Sequence, residues 1–305
     1  MKFLIKRPKV FVLLPIFLLT LTMITISADS TIVIRKTEQS SDSINLEDLL
    51  VKAAAYADRL EASVLYFVCR EEIKEWIDPR IEANLSISVV YSWTGSDPVG
   101  RRDISRLRAR RIKKSYVYDY QCIRKGGKIQ ERRILLEEDG KTKNESDVSL
   151  KTSVFRYATN MMGPVGLFGA RFQPGYEYKI VGEEKKKRRK VVIVEAEPKL
   201  DDPTSTNLYG KAWLFADTGD ILKIEWNENR IGHFEIFEER GKQFERTPRI
   251  KVRTEFGIEK NGLRFPSRLY MEEAYSTQHG RAFVRSKTTV EYKDFKFFTV
   301  EVEIK

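Results

Sequence analysis

Histidine and cysteine are scarce: the 305 residues hold two of each. That leaves little room for a zinc cluster and excludes a small scaffold held by many disulfides. Several signatures of catalysis are missing too. The sequence contains no G-x-S-x-G, no H-E-x-x-H, no phosphate-binding P-loop and no G-x-G-x-x-G. Long apolar runs are absent after residue 26, which excludes a polytopic membrane protein. No metal, no cofactor and no enzymatic activity are expected.

What is present is a basic, aromatic-rich chain with a mean hydropathy of −0.43. Its formal net charge is +11, and seventeen Phe, thirteen Tyr and four Trp are enough for a sizeable core. Lys2, Lys6, Arg7 and Lys9 precede an uncharged, mostly apolar run, Val10 to Ile26, and Ala28-Asp29-Ser30 offers a cleavage site. Residues 1–30 therefore read as a secretory signal, or as an N-terminal anchor in which residues 10–26 tether the protein to the inner membrane. An exported protein, periplasmic or extracellular, is expected either way. No cysteine lies near the cleavage site, which argues against a lipoprotein anchor. Removing the signal leaves the chain basic, so an anionic envelope surface is a candidate partner and nucleic acid is not expected.

Outside the cytoplasm Cys69 and Cys122 can pair, or they can stay as two buried thiols. The densest basic run, Lys185-Lys186-Lys187-Arg188-Arg189-Lys190, lies between two strand-like segments and reads as a solvated hairpin tip. Asp217-Thr218-Gly219 matches the tripeptide of aspartic proteases. It sits between two aromatic-rich runs, however, where Asp and Gly are ordinary turn chemistry. His233 and His279 have no partner at ligand spacing. The neighbouring acids Glu71-Glu72, Glu238-Glu239 and Glu272-Glu273 point to opposite faces on a strand and make no acid–base dyad.

Residues 31–45 read as a flexible leader. From Leu46 an apolar stripe (Leu49, Ala53, Ala57, Leu60, Val64, Phe67) predicts one long amphipathic helix that extends to Trp76 and stops before Pro79. Period-two segments follow: 86–93, 115–123, 129–136, 176–181, 191–196, 212–216, 221–226, 234–237, 250–256, 263–271 and 282–302. Phe155 to Phe168 reads as a short helix broken at Gly163-Pro164 that serves as a lid or plug. The expected fold is α+β: a curled antiparallel sheet, a half-barrel, with the N-terminal helix on its concave face, in one domain over residues 46–305.

The hairpin from Gly210 to Glu225, with Asp217-Thr218-Gly219-Asp220 at its turn, resembles the periplasmic lipoprotein-carrier (LolA-like) superfamily. With Tyr56–Glu72 and the terminal Tyr292-Lys293-Asp294-Phe295-Lys296-Phe297-Phe298, it also resembles uncharacterised secreted proteins of acidobacterial type. The resemblance implies an apolar cavity closed by helices, which binds acyl chains without chemistry. It brings no catalytic residues. A lipid or acylated protein is then the expected ligand. The candidate ligand-binding side chains are Trp213, Phe215, Phe256 and Tyr270 from the strands, with Met161 and Phe168 from the covering segment. The alternative is a structural or protein-interaction module of the cell envelope, with a filled core and no ligand.

Overall fold

The computed structural model describes residues 44–79, 110–155, 160–199, 209–227, 234–277 and 279–298. The expected signal, most of the leader and the strand at 86–93 lie outside the described residues.

The first helix, α1 (Leu46–Ser63), starts where the sequence expects. Asn45 caps it: the side-chain oxygen accepts from the backbone N–H groups of Glu47 and Asp48 at 2.8 and 3.4 Å. Leu49, Ala53, Tyr56, Ala57 and Leu60 form its buried face. The helix does not run to Trp76. It ends at Ser63, passes through one tight turn (Val64–Tyr66), and becomes the strand β1 (Phe67–Ile77). Val64 and Phe67 prolong the helical stripe by one step, which is why the pattern misleads. Beyond them Cys69, Glu71, Ile73, Glu75 and Ile77 are buried in alternation, the period of a strand. Pairing on both edges, with β2 and β13, outweighs local preference.

The other strands are β2 (Ile112–Lys125), β3 (Lys128–Glu138), β4 (Lys141–Glu145), β5 (Tyr176–Lys186), β6 (Arg189–Pro198), β7 (Gly210–Phe215), β8 (Ile221–Trp226), β9 (Thr247–Glu255), β10 (Ile258–Lys260), β11 (Leu263–Phe265), β12 (Arg268–Ser276) and β13 (Ala282–Phe297). Among the described residues, eleven form one antiparallel sheet in the order β4-β3-β2-β1-β13-β12-β9-β8-β7-β6-β5. β10 and β11 form a separate hairpin. The expected strand at 263–271 is split between β11 and β12 at Pro266-Ser267, as Pro requires. The large sheet is not closed: β4 and β5 are its two edges.

Two further expectations are corrected. Phe234–Phe237 is the first turn of a helix, α3 (Phe234–Gln243). Phe237 is buried against Phe155, ring centroids 5.4 Å apart, and a four-residue apolar run carries no period that separates strand from helix. Gly163-Pro164 does not break a helix but opens one, α2 (Gly163–Phe168). Proline in the first turn forfeits no helical hydrogen bond.

One face of the sheet, here the inner face, carries the core. Alternate residues of each strand point to it, such as Tyr116, Tyr118 and Tyr120 on β2 or Ile250, Val252 and Thr254 on β9. α1 and α2 pack on this face and on each other.

Candidate functional site

The site is built from the inner face and its cover. α1 lies on an apolar floor through Leu49, Ala53, Tyr56 and Leu60, all in one core cluster with Val194, Leu214, Ile224, Phe256 and Phe265. Its charged attachments run along its rim, and one polar bond is buried. Lys52 Nζ donates to the Ala216 carbonyl (3.5 Å), and Arg59 donates to the Gly262 carbonyl (3.4 Å) and to Asp220 (3.3 Å). The Tyr56 hydroxyl donates to the Arg264 carbonyl at 2.7 Å. The expected Asp217–Asp220 turn is the seat of the helix. Gly219 has φ +71°, and a Cβ there would lie 2.5 Å from the Lys52 carbonyl carbon. The turn needs glycine for its backbone and for the close approach of α1.

α2 is held by side chains that bond its C-terminal end. Tyr178 donates to the Leu167 carbonyl at 2.7 Å. Gln173 donates to the carbonyls of Phe168 and Leu50, both at 2.9 Å, and so links α2 to α1. Met161 and Phe168 are fully buried beneath the cover, in the same cluster as Phe256.

Beside the apolar floor runs a buried polar chain. Arg133 on β3 forks onto Glu71 on β1, with nitrogen–oxygen distances of 2.6 and 3.1 Å, and also donates to Glu131 at 3.0 Å. Tyr120 donates to Glu131 (2.9 Å) and Tyr292 to Glu71 (3.1 Å). Asn160, ahead of α2, donates to Tyr292 (3.4 Å) and accepts from Thr254 (3.1 Å), which accepts from the Trp226 indole (3.0 Å). Each group meets a partner of the right kind, the condition for burying polar atoms at tolerable cost. Burial pushes the Tyr120 and Tyr292 hydroxyls well above the ordinary tyrosine range, so both stay protonated donors. A second knot gathers on Glu273, which accepts from Arg240, Tyr275, Arg285 and Ser286. Glu75 accepts the backbone N–H groups of Ser153 and Val154. These knots fasten segments to the sheet. Among the described residues, no group of three or more His, Cys, Asp and Glu is placed to hold a metal ion.

The six candidate ligand-binding residues fall into two sets. Met161, Phe168 and Phe256 meet in the core cluster under the cover. Trp213, Phe215 and Tyr270 do not join them. In β7 the inner face belongs to Ala212 and Leu214, so Trp213 and Phe215 face outward, in a satellite cluster with Val191 and Leu222. Tyr270 pairs with Arg253 and Thr289 on the outer side of β12 and donates to Glu272. Burial opposes ionisation of Glu272, but donors from Tyr270 and Lys287 prevail and hold its carboxyl below the usual range. Cys69 and Cys122 are buried free thiols. Cys69 faces Tyr120 in the register, so Cys122 is its diagonal neighbour. Diagonal neighbours stand roughly 7–8 Å apart, beyond the reach of a disulfide in an undistorted ladder. Burial pushes the Cys122 thiol up to about 11.

The helical reading of residues 67–76 hid the polar chain. In strand period, Phe67-Cys69-Glu71-Ile73-Glu75-Ile77 places two carboxylates on an otherwise apolar face, and that was the available signal. Two of the three acid pairs divide as strand geometry demands: Glu71 and Glu273 point inward, while Glu72 and Glu272 bond Lys293 and Lys287 on the outside; Glu238-Glu239 lies on α3, not on a strand.

No family model matches the chain, and no curated protein matches it. Among solved structures it is similar to a LolA superfamily protein from Nitrosomonas europaea, with a TM-score of 0.34 and 11% identity over 85% of this chain and 96% of that one. It is similar also to a DUF1329 family protein from Desulfovibrio piger, with a TM-score of 0.39 and 11% identity over 84% and 94% of the two chains. At scores this low the likeness carries no part of the functional argument.

Proposed function

We propose that the chain is an exported, non-catalytic binding protein of the cell envelope, with residues 46–305 as one domain. Its curled sheet holds an apolar ligand, the acyl chain of a lipid or of a lipidated protein, between the inner face and α1. One observation carries this reading. The cover rests on the floor almost wholly through apolar side chains, its charged attachments lie on its rim, where water can replace them, and one buried bond, from Tyr56 to the Arg264 carbonyl, breaks when it lifts. Lifting α1 exposes a long apolar floor without stranding a buried charge. An acyl chain would take the places of Leu49, Tyr56 and Leu60. The polar chain from Arg133 to Trp226 stays satisfied throughout, because none of its members is on α1.

The test is native mass spectrometry with organic extraction on protein recovered, without detergent, from a host exporting the full chain. A stoichiometric co-purifying lipid supports the reading and gives the ligand class. A bare protein that takes up no fluorescent fatty acid refutes it. The second reading, an envelope interaction module with a filled core, has its own support. Met161, Leu167, Phe168 and Phe256 are buried at 0–1% exposure, packed by the protein's own side chains. Under it both measurements stay blank while the protein remains folded.

A further inference from the structure

Among the described residues, four two-residue hairpin turns place both central residues in the left-handed region. Three use the residues such turns require: Gly126-Gly127 (φ 56° and 75°), Asp139-Gly140 (49° and 75°) and Asn261-Gly262 (52° and 69°). The fourth, between β5 and β6, uses Lys187-Arg188 (48° and 67°). Side chains with a Cβ resist this conformation, and neither residue bonds its own backbone there as Asn or Asp can. Sequence and geometry agree at three tips and conflict at one. A conflict of this kind, kept at an exposed tip, points to function.

The strained tip carries the basic run. Arg189 forks onto Asp217 and Lys190 pairs with Glu183, so these two are tied to the hairpins. Lys185, Lys186, Lys187 and Arg188 are exposed. Beneath the tip, on the outer face, lies a groove of about 420 Å³ lined by Lys186, Lys187, Lys223, Arg264, Trp213 and Phe215. Glu184 and Glu255 share its wall, and Lys223 and Arg264 are paired with Glu225 (2.8 Å) and Glu259 (3.0 Å), which leaves Lys186 and Lys187 as the cations the groove offers. The cations are laid on aromatic rings. Lys223 Nζ stands 3.4 Å from the Trp213 ring centroid, and the guanidinium groups of Arg189 and Arg264 lie 3.6 and 5.3 Å from that of Phe215. Val181, on β5, adds an exposed apolar side chain, 39% accessible. Basic side chains interleaved with aromatic and aliphatic ones are the composition that suits a lipid headgroup layer.

We propose that the β5–β6 tip and the groove beneath it dock the protein on an anionic phospholipid surface. Lys185, Lys186, Lys187 and Arg188 meet headgroup phosphates, while Lys223 and Arg264 stay paired with Glu225 and Glu259. This inference concerns the outer face and stands whether or not the inner face holds a ligand.

The test uses protein recovered from a host exporting the full chain, sedimented with vesicles of phosphatidylglycerol mixed with phosphatidylcholine, or of phosphatidylcholine alone. Every variant carries the same N-terminus, so any insertion by residues 10–26 cancels in the comparison. K186Q/K187Q lowers partition onto the anionic vesicles about thirtyfold, from roughly fivefold per basic residue at such a surface. It leaves partition onto neutral vesicles unchanged. K125Q/K128Q, which neutralises the tip built on Gly126-Gly127, has little effect. K187N/R188G separates docking from folding: it supplies the residues the turn prefers, so the melting temperature rises while anionic partition falls. The proposal is overturned if K186Q/K187Q partitions like the parent protein, if K125Q/K128Q loses as much, or if the gap is equally large on neutral vesicles. A protein that ignores vesicles but binds single-stranded DNA through the same lysines also overturns it, in favour of a polyanion site.

Discussion

Arg133 and Glu71 meet fork to fork over an intervening strand. Their backbones belong to β3 and β1, with β2 between them, and both side chains are almost fully buried. Removing the cation alone leaves Glu71 and Glu131 without it in the interior. Arg133→Met is expected to cost about 3–5 kcal/mol, the usual result of breaking a buried pair from one side. Replacing Glu71 and Glu131 by Leu and Tyr120 and Tyr292 by Phe, together with Arg133→Met, should cost less, because neither a charge nor a hydroxyl donor is then stranded. Urea melts of the two variants check this. A single variant that melts like the parent protein would refute the buried geometry.

Gly219→Ala tests the seat of α1. The left-handed backbone alone costs a residue with Cβ about 1–2 kcal/mol. The new methyl also overlaps the Lys52 carbonyl carbon. We expect a lower melting temperature, with hydrogen exchange accelerated in α1 well before β6 and β7. Uniform acceleration across the sheet would mean that α1 is not a separable cover.

Trp213 and Leu214 test the faces of β7. Leu214 is wholly buried in the core, and Trp213 is half-buried on the outer side beneath Lys223. Leu214→Asp should cost more than about 4 kcal/mol, since it strands a carboxylate in the core. Trp213→Asp should cost clearly less. The opposite order in thermal melts would reverse the strand's faces.

Alkali should unfold the protein steeply. Burial raises Tyr120, Tyr292, Cys69 and Cys122 above their ordinary values of 10.0 and 9.0. In each case the folded state holds its proton more tightly than the unfolded chain. The stability is therefore complete below about pH 9 and drains as pH rises toward the folded values, about 11 for Cys122. Each such group removes about 1.4 kcal/mol per pH unit once the unfolded chain ionises. Phenolate absorbance and circular dichroism should change together. Tyrosines that ionise before the fold is lost would contradict their burial.

Much of the sheet was legible in the sequence. Ile250, Val252 and Thr254 alternate with Lys251, Arg253 and Glu255, and the ladder follows that period. The Asp217-Thr218-Gly219 turn stands between β7 and β8, where its residues place it. The failures came where one segment satisfies two periods. Val64 and Phe67 extend a helical stripe and also begin a strand, and only pairing with β2 and β13 decides between them. The covering segment around Met161 and Phe168 was legible as an irregular apolar stretch. The inner or outer sense of Trp213 was not, because an aromatic residue suits a core and a cation-capped outer patch equally well. The polar chain joins residues from β3, β2, β1, β13, β9 and β8, a meeting that no local pattern encodes.

The strand order has one more consequence. Among the described residues, the first strand of the sheet, β1, and the last, β13, lie side by side in its interior, paired from Phe67 opposite Phe297 to Ile77 opposite Ser286. A chain delivered amino-terminus first can assemble two meanders as it emerges, β1 to β4 and β5 to β9 with β12. The seam between them waits for the final strand. Until then the exposed edges of β1 and β12 can recruit foreign strands. Loss of β13 would thus divide the sheet into two halves rather than trim its margin. β13 is the keystone of the sheet, and its arrival sets when the two halves become safe from aggregation.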